Sequence, residues 1–139
     1  MGKLAAAMTH HHPPRHGLAA AIALAGFLLV GSWLREYEQD DAHVRRLLEL
    51  APDGHFREMA RVVDASGAVK QHAHAGEWTF DGTNLKRRYT SFDGRQPAAP
   101  TMPYATFSRR FESNREFVGT GNVRKREVRY RRVDEGTVP

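Results

Sequence analysis

Residues 55–80 read HFREMARVVDASGAVKQHAHAGEWTF, and their apolar spacing sets the fold class. Phe56, Ala60 and Val62 stand at alternate places, as do Trp78 and Phe80, with Asp64-Ala65-Ser66-Gly67 between the two runs. Successive side chains of a strand point to opposite faces, so this period of two predicts two strands with one apolar face each, joined by a turn.

The same alternation of turn signal and apolar run extends outward in both directions. Turn signals stand at Pro52-Asp53-Gly54, Asp81-Gly82-Thr83-Asn84, Asp93-Gly94, Ser113-Asn114 and Gly119-Thr120-Gly121-Asn122. Between them lie aromatic and β-branched segments at 44–50, 55–63, 68–80, 85–92, 104–111, 116–118 and 123–133, which predicts six or seven antiparallel strands. Residues 95–103 contain Pro97, Pro100 and Pro103, so they read as a loop or edge crossing. The remaining chain offers nothing to cover a single apolar sheet face. The expected fold class is therefore all-β, a small antiparallel barrel or strongly curved sheet, preceded by one N-terminal apolar helix.

That helix is read from residues 17–34, GLAAAIALAGFLLVGSWL, which carry no charge over 18 residues. This is the short edge of what spans a bilayer. Lys3 and Arg15 lie before it and Glu36, Glu38, Asp40 and Asp41 just after it, a bias that keeps the N-terminus in the cytoplasm and sends the domain to the other side. The segment reads equally as a cleaved signal peptide. The expected location is the cell envelope, either the inner membrane with the domain facing the periplasm or the periplasm itself. Residues 1–16 read as a disordered basic, His-rich tail. His10-His11-His12 there is flanked by Pro13 and Pro14, with no scaffold to fix ligand geometry, so no metal site is expected from it.

The 139 residues leave room for one domain, 35–139, behind these segments. With no cysteine in the chain, disulfides, thiolate nucleophiles and iron–sulfur sites are excluded. The net charge of +5 is unevenly spread, with acidic residues dominating 36–84 and basic residues 85–132. This predicts a dipolar domain.

Gly31-Ser32-Trp33, the Asp53-Gly54-His55-Phe56 hairpin, Gly76-Glu77-Trp78 and Val128-Arg129-Tyr130-Arg131-Arg132-Val133 together resemble the lipocalin-like, or calycin, domains of bacterial envelope proteins. The resemblance covers residues 31–139. It implies a first strand opening at Gly31, Trp33 at the closed end of a barrel, an arginine near the last strand (Arg131 or Arg132) stacked over that indole, and a small hydrophobic or amphipathic ligand inside. The stretch is short for an eight-stranded barrel, which implies a small or side-chain-filled cavity. A strand opening at Gly31 also leaves only residues 17–30 for the apolar helix and favours cleavage.

Arginines interleaved with apolar residues supply the candidate site. Arg87 lies between Leu85 and Tyr89, Arg109 between Phe107 and Phe111, and Arg126 and Arg132 flank Val128 and Tyr130. An inward guanidinium must meet a carboxylate, lean out to solvent or face an anion, and Glu58, between Phe56 and Ala60, is an available counter-charge. The expected ligand-binding residues are Arg87, Tyr89, Arg109, Phe107, Trp78, Tyr130 and Arg126, for a lipid-like or anionic small molecule. The alternative is a structural or accessory protein meeting an acidic partner or anionic lipids through Arg124-Lys125-Arg126, Arg129, Arg131 and Arg132. His72 and His74 share a face and His55 falls on a neighbouring strand, three imidazoles that could bind zinc or copper, but no acidic second shell stands nearby in sequence and no metal is expected there. Turn carboxylates such as Asp81 and Asp93 are expected to serve backbone hydrogen bonds. With no nucleophile elbow, no catalytic residues, cofactor, metal or enzyme activity are expected. A nucleic-acid partner is not expected either, because the aromatic spacing fits no recognition module.

Overall fold

A computed structural model describes residues 26–96, 104–113, 115–121 and 126–139, with residues 104–113 described by backbone alone. The expected tail (1–16), most of the apolar segment (17–25), the central part of the proline-rich loop (97–103) and the side chains of Phe107 and Arg109 lie outside the described residues.

Among the described residues eight antiparallel strands form a closed barrel in which each strand pairs with its neighbours in sequence and the last pairs with the first. They are β1 (Gly31–Gln39), β2 (Ala42–Leu50), β3 (His55–Val63), β4 (Val69–Phe80), β5 (Asn84–Phe92), β6 (Tyr104–Ser113), β7 (Glu116–Gly121) and β8 (Glu127–Val133). The strand absent from the alternation count is β1, which starts inside the apolar segment. Gly31–Leu34 are strand rather than helix, so the domain starts at Gly31 and not at residue 35. Helix is described only at residues 26–29, and no helix among the described residues is long and apolar enough to cross a membrane.

Short-range chemistry explains the turns. Asp40 and Asp41 both adopt positive φ, 52° and 62°, the twist a two-residue hairpin requires between β1 and β2. Elsewhere aspartates hold the turns through their carboxylates. Asp64 accepts from the backbone N–H of Ser66 and Ala68, and Asp81 from those of Thr83 and Asn84. Two backbone N–H donors bring Asp81 down to about 2.

The barrel interior is apolar at one end. Leu29, Trp33, Leu48, Leu50, Phe56, Trp78, Leu85, Phe117 and Tyr130 form one buried cluster, and the Trp33 ring meets Phe117 edge-on at 4.6 Å. The turn at 26–29 plugs this end: the indole N–H of Trp33 donates to the carbonyl of Leu29 at 2.8 Å. Arg132 lies over the Trp33 ring at 4.2 Å and donates to the carbonyls of Val30 and Leu28, satisfying the end of that turn. Gly31 makes room for this clamp, because its φ is +139° and a Cβ there would stand 2.4 Å from Arg132 Nη1.

Toward the other end the interior side chains become more exposed. Along β1 the inward series runs from buried Trp33 to half-buried Arg35 and Tyr37, and along β4 from buried Trp78 through half-buried His74 and His72 to exposed Lys70. One end of the barrel is sealed by apolar packing, and toward the other the described interior side chains are more exposed to solvent.

Candidate functional site

The register places one carboxylate in the middle of the barrel. Glu58 on β3 alternates with Phe56 and Ala60 on the inward face and is 2 % exposed. It stands opposite Leu48 on β2 and His74 on β4. Two guanidiniums close on it from different strands. Arg87 Nη1 of β5 donates to Oε2 at 2.6 Å, and Arg46 Nη1 of β2 donates to Oε1 at 3.0 Å. The Tyr89 hydroxyl adds longer contacts at 3.3 and 3.4 Å. Arg46 also donates from Nη2 to the Tyr37 hydroxyl at 3.1 Å.

The electrostatics follow from burial and these neighbours. Burial pushes the Glu58 carboxyl up, but Arg87 and Arg46 together outweigh it and hold Glu58 below the usual carboxylate range. Burial likewise works against the charge on Arg87 and Arg46, and Glu58 more than restores it. Tyr89 is pushed upward mainly by burial, so its phenol stays protonated and donates. All charged members of the cluster are ionised near neutrality.

One carboxylate does not balance the interior. Arg35 on β1 stands directly opposite Arg46 in the β1–β2 register, a like-charge cross-strand pair that disfavours the sheet unless compensated. Among the described residues Arg35 meets no carboxylate; it lies over the Tyr37 ring at 4.1 Å. Two interior polar atoms are also buried without a hydrogen-bond partner, Arg46 Nε and His74 Nδ1. Each such atom costs about 1–3 kcal/mol.

Packing fixes where His74 points. A register shift between Ala75 and Gly76 lets both Tyr89 and Phe92 of β5 reach the imidazole, with ring centroids 6.1 and 5.1 Å from it. His72 stacks on its other side at 6.2 Å. Gly76 is required where β4 and β5 approach, because a Cβ there would lie 1.9 Å from the Arg88 carbonyl oxygen.

The structure sorts the expected site residues into four groups. Arg87 and Tyr89 point inward as the alternation predicts, and Glu58 is the counter-charge of Arg87. Trp78 and Tyr130 are also inward but belong to the packing of the sealed end: the Trp78 indole donates to the Ala51 carbonyl at 2.8 Å, and Tyr130 stacks on Phe117 at 5.1 Å. Arg126 is exposed and precedes β8, which opens at Glu127. The inward phase of β8 holds at Val128, Tyr130 and Arg132, but the strand ends before Arg126, so alternation does not reach it. Arg109 pairs with Gly119 and Phe107 with Gly121 in the β6–β7 register.

Alternation missed Arg46, Tyr37 and Arg35. The segment 44–50 has apolar residues at both parities, Leu47 and Leu48, which hides its phase. The signal that finds Arg46 is cross-strand pairing with Ala60, whose inward direction is clear. His55 pairs with Glu77, is exposed and lies on the opposite face from His72 and His74, so three imidazoles do not converge. His72 Nδ1 instead meets Asp93 Oδ2 at 3.0 Å, while the Asp93 Oδ1 caps the N–H of Ala73.

Two surface clefts lie away from the charged cluster. One, of ≈540 Å³, runs at the sealed end between Val30, Leu50, Pro52, Phe56 and Arg132. The other, of ≈300 Å³, lies beside Gly54 and Trp78. Neither shares a lining residue with the Glu58 cluster. Among the described residues several outer arginines meet carboxylates. Arg131 pairs with Glu36 at 3.0 Å, Arg57 with Glu49 at 2.7 Å, and Arg129 with Glu116.

The chain matches no model of a known protein family, and no curated protein matches it.

Proposed function

We propose that this chain is a non-catalytic binding module whose barrel takes an anionic, lipid-like small molecule through the end where its interior is more exposed. In this reading the apolar segment before β1 anchors or exports the domain, which works in the cell envelope. The resemblance to lipocalin-like domains supports the reading. The observation that carries it is the charge imbalance inside the barrel. Among the described residues Arg35, Arg46 and Arg87 face inward against the one carboxylate of Glu58, and a bound anion is the direct compensation for it.

The alternative, an accessory protein using a basic outer face, loses support because Arg129 and Arg131 are each paired with a glutamate on a neighbouring strand.

The test is a titration of the full chain with laurate and with 1-dodecanol, followed by the fluorescence of buried Trp33 and Trp78 and by native mass spectrometry. The reading predicts laurate at least tenfold tighter than dodecanol, about 1.4 kcal/mol in favour of the anion. Equal affinity for the two, or binding of neither, overturns it.

A further inference from the structure

Arg46 and His74 stand on either side of Glu58, on β2 and β4, and each holds one buried nitrogen without a partner. Arg46 donates from Nη1 to Glu58 and from Nη2 to Tyr37, while its buried Nε–H meets no acceptor among the described residues. The His74 ring is held between Phe92, Tyr89 and His72, so its Nδ1 cannot turn to water by rotating away. Glu58 has no need of either atom, since its two oxygens already accept from Arg46, Arg87 and Tyr89.

We propose that Arg46 Nε–H and the Nδ1–H tautomer of His74 form the seat of an oxyanion head, carboxylate or phosphate, with Arg35 supplying the adjoining positive charge. This rests on the interior-binding reading and deepens it by naming the atoms that select the head. The chemistry suits an oxyanion rather than a neutral polar group: both atoms are donors, both are desolvated, and hydrogen bonds from a guanidinium to an anionic oxygen are the stronger kind. With one carboxylate facing three guanidiniums, the interior accommodates a monoanion or the dianion of a phosphate monoester without acquiring net negative charge.

His74 is the residue to change, because replacing Arg46 also unbalances Glu58. His74→Phe keeps an aromatic ring against Phe92 and Tyr89 and removes only the nitrogens. Wild type and variant, as full chains, are titrated with laurate, dodecyl phosphate and 1-dodecanol. The expected result is at least a tenfold loss of affinity for one or both acids with dodecanol unchanged, the acid that loses more being the head the site was built for. Unchanged affinity for both acids in His74→Phe overturns the proposal. Should the variant fail to fold, the wild type decides alone. The ¹⁵N resonance of Arg46 Nε–H must shift on adding the acid and stay put with dodecanol, and a resonance indifferent to the acid refutes the seat. Failure of the broader reading looks different, since the wild type then binds neither acid or binds laurate no tighter than 1-dodecanol.

Discussion

Replacing Glu58 by glutamine tests the charged centre of the barrel most directly. The side chain keeps its shape and loses its charge, leaving Arg87 and Arg46 facing an amide that accepts one hydrogen bond well and turns an N–H₂ toward the other guanidinium. Arg87 is 8 % exposed and Glu58 2 %, so little solvent screens the change. Removing one partner of a buried ion pair costs about 3–5 kcal/mol. At about 4–5 °C per kcal/mol for a domain of this size, that is a fall in Tm of roughly 12–25 °C. Urea unfolding followed by the fluorescence of Trp33 and Trp78 measures it. The pH dependence supplies a second handle. The folded-state value of Glu58 is lowered from the ordinary 4.5, so its contribution is fully present above 4.5 and is lost as pH falls through the lower folded value. The stability gap between wild type and Glu58→Gln should therefore be constant near neutrality and shrink as pH drops below 4.5. A loss under about 1 kcal/mol at neutral pH, on the scale of an exposed ion pair, or a gap that does not close in acid, would refute the picture of a buried, ionised carboxylate between two arginines.

Other perturbations probe the frame around this centre. Gly76→Ala forces the β4 and β5 backbones apart at the Arg88 carbonyl and should cost at least the ~1–3 kcal/mol of an overpacked core, read as a lower urea midpoint. Gly31→Ala combines an unfavourable φ with displacement of Arg132. It should cost about 1–3 kcal/mol and, by loosening the clamp over the indole, change the emission of Trp33. Asp81 should titrate with a midpoint of about 2 in ¹³C NMR, and Thr83→Pro, which removes one of its two N–H donors, should move that midpoint upward.

Much of the barrel was legible because its strands are half-buried and its turns carry their own chemistry. The runs at 55–63 and 85–92 match β3 and β5 closely, and the inward phase of Phe56, Glu58 and Ala60, and of Leu85, Arg87 and Tyr89, follows from alternation alone. What alternation does not reach is whatever depends on two strands at once. Val44–Leu50 shows apolar residues on both faces because Leu47 and Leu34, paired across the outer face of β1 and β2, are buried as well. The inward direction of Arg46 becomes visible only through its partner Ala60. The extra residue that brings both Tyr89 and Phe92 beside His74 is a bulge, and a bulge resets the phase locally without a signature in apolar spacing. β1 was hidden for a different reason: its first residues, Gly31–Leu34, are as apolar as the segment before them, and the resemblance at Gly31-Ser32-Trp33 is what marks the change from helix to strand.

The uneven distribution of charge along the chain acquires a structural meaning once the barrel closes. Acidic residues dominate the sequence to Asn84 and basic residues the sequence after it, and these halves meet along two seams, β4–β5 and β1–β8. Ion pairs cross both. Glu77 meets Arg88 across the first, and Glu36 meets Arg131 across the second, while Arg87 reaches over β4 to Glu58 inside. The chain's charge asymmetry is thus spent mostly on closure at the outer face, where exposed pairs contribute little each but penalise a shifted register. Inside, β1 and β2 of the acidic half contribute Arg35 and Arg46 instead, so the excess positive charge collects in the lumen. Reversing Arg35 alone, as Arg35→Glu, should therefore relieve the repulsion with Arg46 and raise stability while weakening laurate binding by tenfold or more. If stability and binding instead fall together, Arg35 is part of the packing and the lumen is not held cationic for a ligand.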